Sequence, residues 1–183
     1  MIDLTHKPHI IGEKVILRPF KPEDFPYLEE CLTDPETIKF TGSDSDFDRD
    51  FVMQWYNTRN DQTDRLDLAI VDKSTDILVG EVVANLYDEQ NQSMNFRILI
   101  GPRGRNRGLG TEATQLMVDY IFNNTNLNQL TLGVYAFNPR AIKVYEKIGF
   151  VVDSVDKNDL EYEGEWIDAF NMILTREKWM KSQ

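Results

Sequence analysis

One cysteine, two histidines and the absence of any long apolar run set the first limits on this 183-residue chain. Cys31, standing alone, excludes an internal disulfide and fits a reducing compartment. No stretch approaches the ~18 consecutive apolar residues of a membrane-spanning helix, and the opening residues show no apolar core of a secretory leader. A cytoplasmic location with no membrane partner is therefore expected. Positive charge is scarce as well: 20 Lys and Arg face 31 Asp and Glu, for a net charge of -11. That balance argues against nucleic acid or an anionic membrane as the main partner. It mildly favours a cationic substrate such as an amine, although solubility alone would explain it equally well. His6 and His9 flank Pro8 with no cysteine or carboxylate cluster beside them, so no metal site is expected.

What is present suffices for a single domain, residues 1–183, with a core of its own. The stretch that stands out is Arg103-Gly104-Arg105-Asn106-Arg107-Gly108-Leu109-Gly110-Thr111-Glu112-Ala113. It follows an apolar run, Phe96 to Ile100, that reads as a strand. It leads into Leu109, Ala113, Leu116, Met117, Tyr120 and Ile121 at helical spacing. Strand, basic loop and helix start make a nest of backbone N–H groups backed by the positive end of a helix dipole. Gly108 and Gly110 let the backbone approach a ligand, three arginines add charge, and phosphate is the expected guest. A P-loop would need Lys-Ser or Lys-Thr after the glycines, and neither follows. The dinucleotide fingerprint matches Gly108-x-Gly110-x-x-Ala113 only on paper. Seven residues separate Ile100 from Gly108, and the next strand, Leu130 to Tyr135, ends without a carboxylate.

Upstream, residues 1–14 read as a loose lead-in and Val15 to Phe20 as a strand ended by proline. Pro22-Glu23-Asp24 starts a helix with Phe25, Leu28, Cys31 and Leu32 on one face, closed by Asp34-Pro35. Cys31 on that stripe points to core packing rather than to a nucleophile. The aspartates from Asp44 to Asp50 invite an EF-hand, but its sixth position would be Arg49 and its twelfth Trp55, so calcium is rejected. The segment reads either as a solvated loop or as a rim that attracts a cation. In the first reading Asp48 or Asp50 caps a helix burying Phe51, Val52, Trp55 and Tyr56. Leu66 to Ile70, Ile77 to Tyr87 and Met94 to Ile100 form an antiparallel meander feeding the basic loop. Glu81 interrupts the apolar run Ile77 to Ala84. A buried carboxylate is costly unless paired or used, so Glu81 is a partner for Arg97, a rim residue or a functional group.

Downstream, a helix from about Gly108 to Asn123 precedes the Leu130–Tyr135 strand. Then Asn138-Pro-Arg-Ala-Ile-Lys-Val-Tyr-Glu-Lys-Ile-Gly-Phe150 spells a short helix with Asn138 as N-cap, Pro139 in its first position and Gly149 just past its end. Asn138, Ala141 or Ile142, and Tyr145 fall along one side, the phenol about 10 Å along the axis from the cap. That suits a ligand lying lengthwise. Phe150 to Val155 and Ile167 to Thr175 read as closing strands joined by a polar loop. Glu161, Glu163 and Glu165 in it either face an amine or simply turn the chain.

Arg105-Asn106-Arg107-Gly108-Leu109-Gly110 resembles, at every position, the pyrophosphate loop Gln/Arg-x-x-Gly-x-Gly/Ala of the GNAT acetyltransferase superfamily. Asn138 to Phe150 is similar to that family's C-terminal half, in the family's order and spacing. Leu17-Arg-Pro-Phe20 with Asp34-Pro35, and Trp166-Ile-Asp168, resemble the branch containing ribosomal-protein N-terminal acetyltransferases. The resemblance spans most of the chain. It implies an α/β (α+β) fold, a mixed but mostly antiparallel central sheet flanked by helices. It also implies direct acetyl transfer from acetyl-CoA to a primary amine, with no metal and no covalent enzyme intermediate.

By the same resemblance Arg105, Asn106, Arg107, Gly108, Leu109, Gly110 and Thr111 would hold the diphosphate. The strand at Ile98, Leu99 and Ile100 would pair with the pantetheine arm, a backbone N–H near Ile100 would stabilise the oxyanion, and Asn138 would lie near the pantetheine. Tyr145 would protonate the departing thiolate, unless it serves only in packing. An acceptor amine is mostly protonated at neutral pH, and Glu81 is the candidate base that relieves it of a proton. The branch favours a protein α-amine; an aminoglycoside, polyamine or amino acid also fits, and a non-catalytic CoA-binding module is the competing class. Monomer and homodimer are both compatible with the sequence.

Overall fold

A computed structural model describes residues 2–42 and 48–183. Two apolar runs rich in β-branched residues meet at a turn where Asp76 takes a φ of 59°, and they form β3 (Leu66–Asp72) and β4 (Ile77–Asp88). Before them come β1 (Ile10–Ile11) and β2 (Val15–Arg18); after them come β5 (Ser93–Ile100) and β6 (Gln129–Tyr135). A hairpin of β7 (Val151–Tyr162) and β8 (Glu165–Thr175) closes the set. Among the described residues the eight strands make one sheet, ordered β1-β2-β3-β4-β5-β6-β8-β7. Every neighbouring pair is antiparallel except β5 and β6, which run parallel, so the sheet is mixed but mostly antiparallel.

Helices cover both faces. On one side α4 (Leu109–Asn124) and α5 (Pro139–Ile148) bury Phe96, Met117, Phe122 and Phe150 against the sheet. On the other side α1 (Phe25–Thr33) and α3 (Arg49–Asn57) close over Ala69, Val71, Leu78 and Leu99. Each large apolar side chain so enclosed contributes about 1.5–3 kcal/mol. A last short helix, α6 (Arg176–Lys181), docks Trp179 on Phe122, with the indole N–H donating 2.8 Å to Asp119.

Several expectations change in detail. Residues 1–14 are not all loose, because β1 pairs with β2. Pro22–Asp24 is a separate single 3-10 turn ahead of α1, and Asp24 is drawn into a bidentate pair with Arg18 at 2.7 and 2.8 Å. Asp34-Pro35 closes α1 but also opens a further helix, α2 (Pro35–Thr41), in which the Asp34 carboxylate accepts the Thr37 N–H at 3.0 Å. Asp48, not Asp50, caps α3. Phe51 on α3 is 64% exposed rather than buried. Asp44 and Asp46 of the rejected calcium loop lie outside the described residues.

The largest departure is the polar loop expected between Val155 and Ile167, which is strand almost throughout. Backbone pairing with β8 holds β7, and nearly all its side chains stay exposed, so no apolar pattern announces it. The reversal narrows to Glu163 and Gly164, both at positive φ. Among the described residues no helix is long and apolar enough to cross a membrane.

Candidate active site

The basic loop folds as a 3-10 turn, Pro102–Gly104, followed by two left-handed residues, Asn106 at φ 63° and Gly108 at φ 75°. Gly108 is the N-cap of α4, and its backbone turns the chain so that the helix start faces inward. The N–H groups of Leu109, Gly110 and Thr111, in the first turn of α4, donate to no described residue. Such orphan donors, at the positive end of a sixteen-residue helix, make an anion site.

The arginines behave differently from what the sequence suggests. Arg103 pairs with Glu30 at 3.0 Å, Arg105 with Asp34 and with Glu36 at 2.8 Å, and Arg107 with Asp72 at 2.8 Å. In a chain this acidic each guanidinium finds a carboxylate of its own. Arg107 is turned away altogether and is absent from the walls of the cleft described next. The nest is therefore chiefly backbone.

Beside it the sheet splits. β5 pairs with β6 only at Ser93, Met94 and Asn95, opposite Gln129, Leu130 and Thr131, and the two strands then diverge. A bulge in β4 between Asn85 and Asp88, where Leu86 takes a φ of 53°, sits at the closed end; bulges bend the strand that carries them. Gly101 N–H donates to Val79 at 2.8 Å, which sets the alternation of the β4–β5 ladder. By that alternation Leu99 and Arg97 turn their peptide groups toward β4. Ile98 and Ile100 present theirs to the open side. Leu99 instead contributes its side chain, packed among the residues under α1 and α3.

A cleft of about 870 Å³ runs through the split. Ile98, Leu99, Ile100, Asn138 and Tyr145 line it, as do Arg105, Asn106, Gly108, Leu109, Gly110 and Thr111. Glu81 lines it too, so of the residues expected at the site Arg107 alone lies elsewhere.

The Asn138 side chain accepts the Ala141 N–H at 3.3 Å and starts α5. Two turns on, Tyr145 is 6% exposed, its ring set edgewise to Phe96 at 6.4 Å and Phe150 at 5.9 Å. Its hydroxyl makes no hydrogen bond to a described residue. Burial raises its pKa well above the ordinary phenol value, so the proton stays on oxygen at neutral pH. A neutral phenol with a free hydroxyl in a cleft is a proton donor in waiting.

Glu81, on β4, is 3% exposed and accepts a 2.8 Å hydrogen bond from the Tyr56 hydroxyl at Oε2. Arg97, the partner expected from the neighbouring strand, stands 3.9 Å from Oε1. Burial pushes the Glu81 pKa up, and Asp67 adds to that; Arg97, Tyr56 and Arg65 oppose it. A carboxylate in this setting titrates closer to neutrality than a solvated one.

Sequence reasoning missed Tyr56 as a functional neighbour and placed it in the core. Tyr56 is indeed buried and Val52 and Trp55 pack against the same core, while Phe51 is exposed; all four also line the cleft. The apolar stripe on α3 was the available signal. Asp156 and Asp159 of β7, with Asn171 of β8, form part of the wall as well; Glu161, Glu163 and Glu165 do not.

An N–H nest suited to an anion, a parted sheet with a free strand edge, and a buried phenol beside it fit an α/β protein of the acyl-CoA-using class. Residues 14–151 match the family model described as acetyltransferase (GNAT) domain, and the chain belongs to that family, the acetyl-CoA-dependent N-acetyltransferases. It is 25% identical over 171 residues to an uncharacterized N-acetyltransferase, p20, of Bacillus licheniformis, covering 91% of this chain and 96% of that one. It is 26% identical over 170 residues to the spermidine N(1)-acetyltransferase of Escherichia coli K12, covering 92% and 90%.

Two solved structures share the fold. The spermidine N-acetyltransferase of Vibrio cholerae, in complex with CoA and spermine, aligns with a TM-score of 0.83 at 21% identity over 92% of this chain and 99% of that one. A GNAT acetyltransferase of Bacillus anthracis aligns at 0.80 and 22% identity over 93% and 99%. The ribosomal-protein branch suggested by Leu17 to Phe20 is not among these relatives. Within that motif Arg18 is used structurally, in its buried pair with Asp24.

Proposed function

We propose that the acceptor is a small polycationic amine of the polyamine class, and that Glu81 and Tyr145 manage the protons of its acetylation. The observation that carries this reading is that three carboxylates line one cleft, the buried Glu81 together with Asp156 and Asp159, in company with the aromatic rings of Trp55 and Tyr135. A linear amine carries several ammonium groups, and such a cleft offers more than one carboxylate to pair with them and ring faces for its cationic chain. The two relatives with spermidine in their names agree with this more closely than with a protein α-amine.

Acetyl-CoA supplies an activated thioester. The chain's own groups would do the rest. The α4 nest would hold the diphosphate, the free edge at Ile98 and Ile100 would align the pantetheine, and an N–H near Ile100 would face the thioester oxygen. Glu81 would take a proton from the ammonium, so that a nitrogen lone pair becomes available. Tyr145 would hold its proton until the sulfur needs it.

The test is turnover of acetyl-CoA with spermidine, spermine, an aminoglycoside and a peptide bearing a free N-terminus. Spermidine or spermine giving the highest kcat/KM supports the proposal. A preference for the peptide would return the acceptor to a protein α-amine.

A further inference from the structure

If Glu81 is the base, one of its two oxygens is already committed. Oε2 accepts the Tyr56 hydroxyl at 2.8 Å. Oε1 faces Arg97 at 3.9 Å, beyond hydrogen-bond reach, and Arg97 is itself half-exposed and able to swing. Tyr56 is held from both sides, edgewise against Phe20 at 5.2 Å and Trp55 at 4.8 Å, on a helix capped by Asp48. Its position is therefore set by packing rather than by the carboxylate.

We propose that Tyr56 is a positioning residue for proton transfer: by donating to Oε2 it fixes the Glu81 carboxylate and leaves Oε1 as the atom that takes the acceptor's proton. This rests on the reading of Glu81 as base. In the step, an N–H bond of the ammonium breaks, an O–H bond forms at Oε1, and the electron pair stays on nitrogen. Tyr56 keeps its own proton throughout. Burial and the neighbouring Glu81 charge both raise its pKa, which makes it a donor and not an acid in this pH range.

Other ionisable groups face Glu81 from every packed element: Arg97 from β5, Arg65 from the turn just ahead of β3, Asp67 from β3 itself, and Cys31 from α1. Cys31 is pushed up to about 12 by burial and is neutral. Arg65 and Asp67 satisfy one another through a bidentate pair at 2.6 and 2.8 Å. Tyr56 is thus the one group among the described residues that hydrogen-bonds the carboxylate directly. It stabilises the ionised form, because a charged acceptor gains more from a donor than a neutral one does.

The experiment compares wild type, Tyr56→Phe and Glu81→Gln in two measurements. The first is the pH profile of kcat/KM with acetyl-CoA and spermidine. The second is a ¹³C titration of the glutamate carboxyls in the free enzyme, with Glu81→Gln identifying the Glu81 signal. Tyr56→Phe keeps the ring and its packing. It should move the Glu81 titration, and the ascending limb, to higher pH by about one unit.

A limb that vanishes in Glu81→Gln but does not move in Tyr56→Phe overturns the role given to Tyr56 and leaves the base in place. A limb that persists in Glu81→Gln removes the base and this inference with it. Where spermidine is not turned over, the ¹³C titration decides: an unmoved Glu81 midpoint in Tyr56→Phe refutes the proposal, and a shifted one upholds the contact it depends on.

Discussion

Arg105, in the loop ahead of α4, forms an ion pair of 2.8 Å with Glu36 of α2, and so ties the α4 side of the cleft to the side that carries Thr37 and Phe40. The same guanidinium binds Asp34, the residue that caps α2. Arg140 of α5 also reaches Glu36. Three segments therefore meet on two carboxylates, all around the helix start that would receive a diphosphate.

Arg105→Ala should lower stability as well as acetyl-CoA affinity, because it strands Asp34 and Glu36. The pair is largely shielded, and its loss should cost about 1–3 kcal/mol. Gly108→Ala should act on affinity through the backbone, since a side chain at its φ of 75° costs about 1–2 kcal/mol. Thermal denaturation and calorimetric titration with acetyl-CoA separate the two effects. An Arg105→Ala protein with unaltered melting would show the pairs to be idle.

Tyr145→Phe keeps both aromatic contacts and removes only the hydroxyl. Turnover should fall about 10²-fold, within the range of a general acid, while the dissociation constant of acetyl-CoA stays unchanged. Steady-state rates beside equilibrium titration make the comparison. Undiminished kcat would reduce Tyr145 to a packing residue.

Arg107 gives a prediction of the opposite kind. Its guanidinium serves Asp72, and burial of that carboxyl is outweighed by hydrogen bonds from Ser74 and Arg107, which hold its pKa below the usual value. A depressed carboxyl stabilises fully above the unfolded pKa near ~3.9 and loses that contribution as pH falls through the lower folded value. Arg107→Ala should therefore leave acetyl-CoA affinity intact and move acid unfolding to higher pH. Circular dichroism followed through an acid titration reads the second effect. A large drop in affinity would bring Arg107 back to the phosphate site.

Asp159 lines the cleft from the edge strand β7. Asp159→Asn should raise KM for spermidine with little change in kcat, and more so at low salt, where an exposed charge acts at its full range. A monoamine acceptor should be indifferent to the change. Equal effects on both acceptors would mean that Asp159 does not read a distant ammonium.

Local signals carried far. The glycine and asparagine positions of the loop, the cap and C-terminal glycine around Tyr145, and the period-two runs of β3, β4 and β5 depend on neighbours within a few residues. Short-range sterics and helix-end hydrogen bonding decide them, so the helix-start nest of residues 103–111 and the capped helix of residues 138–150 could be read from sequence.

The partners of the charged groups depended on long-range packing. Tyr56 meets Glu81 across 25 positions of chain, and Arg105 meets Asp34 across 71. The polar strand β7 exists because β8 lies alongside it. The sequence by itself determined the family, the nest and the phenol, because each is written in contiguous residues with steric requirements of their own. Which carboxylates the arginines satisfy, which oxygen of Glu81 the Tyr56 hydroxyl engages, and where the sheet parts were settled only when the strands paired, since those contacts are chosen by proximity in the folded chain.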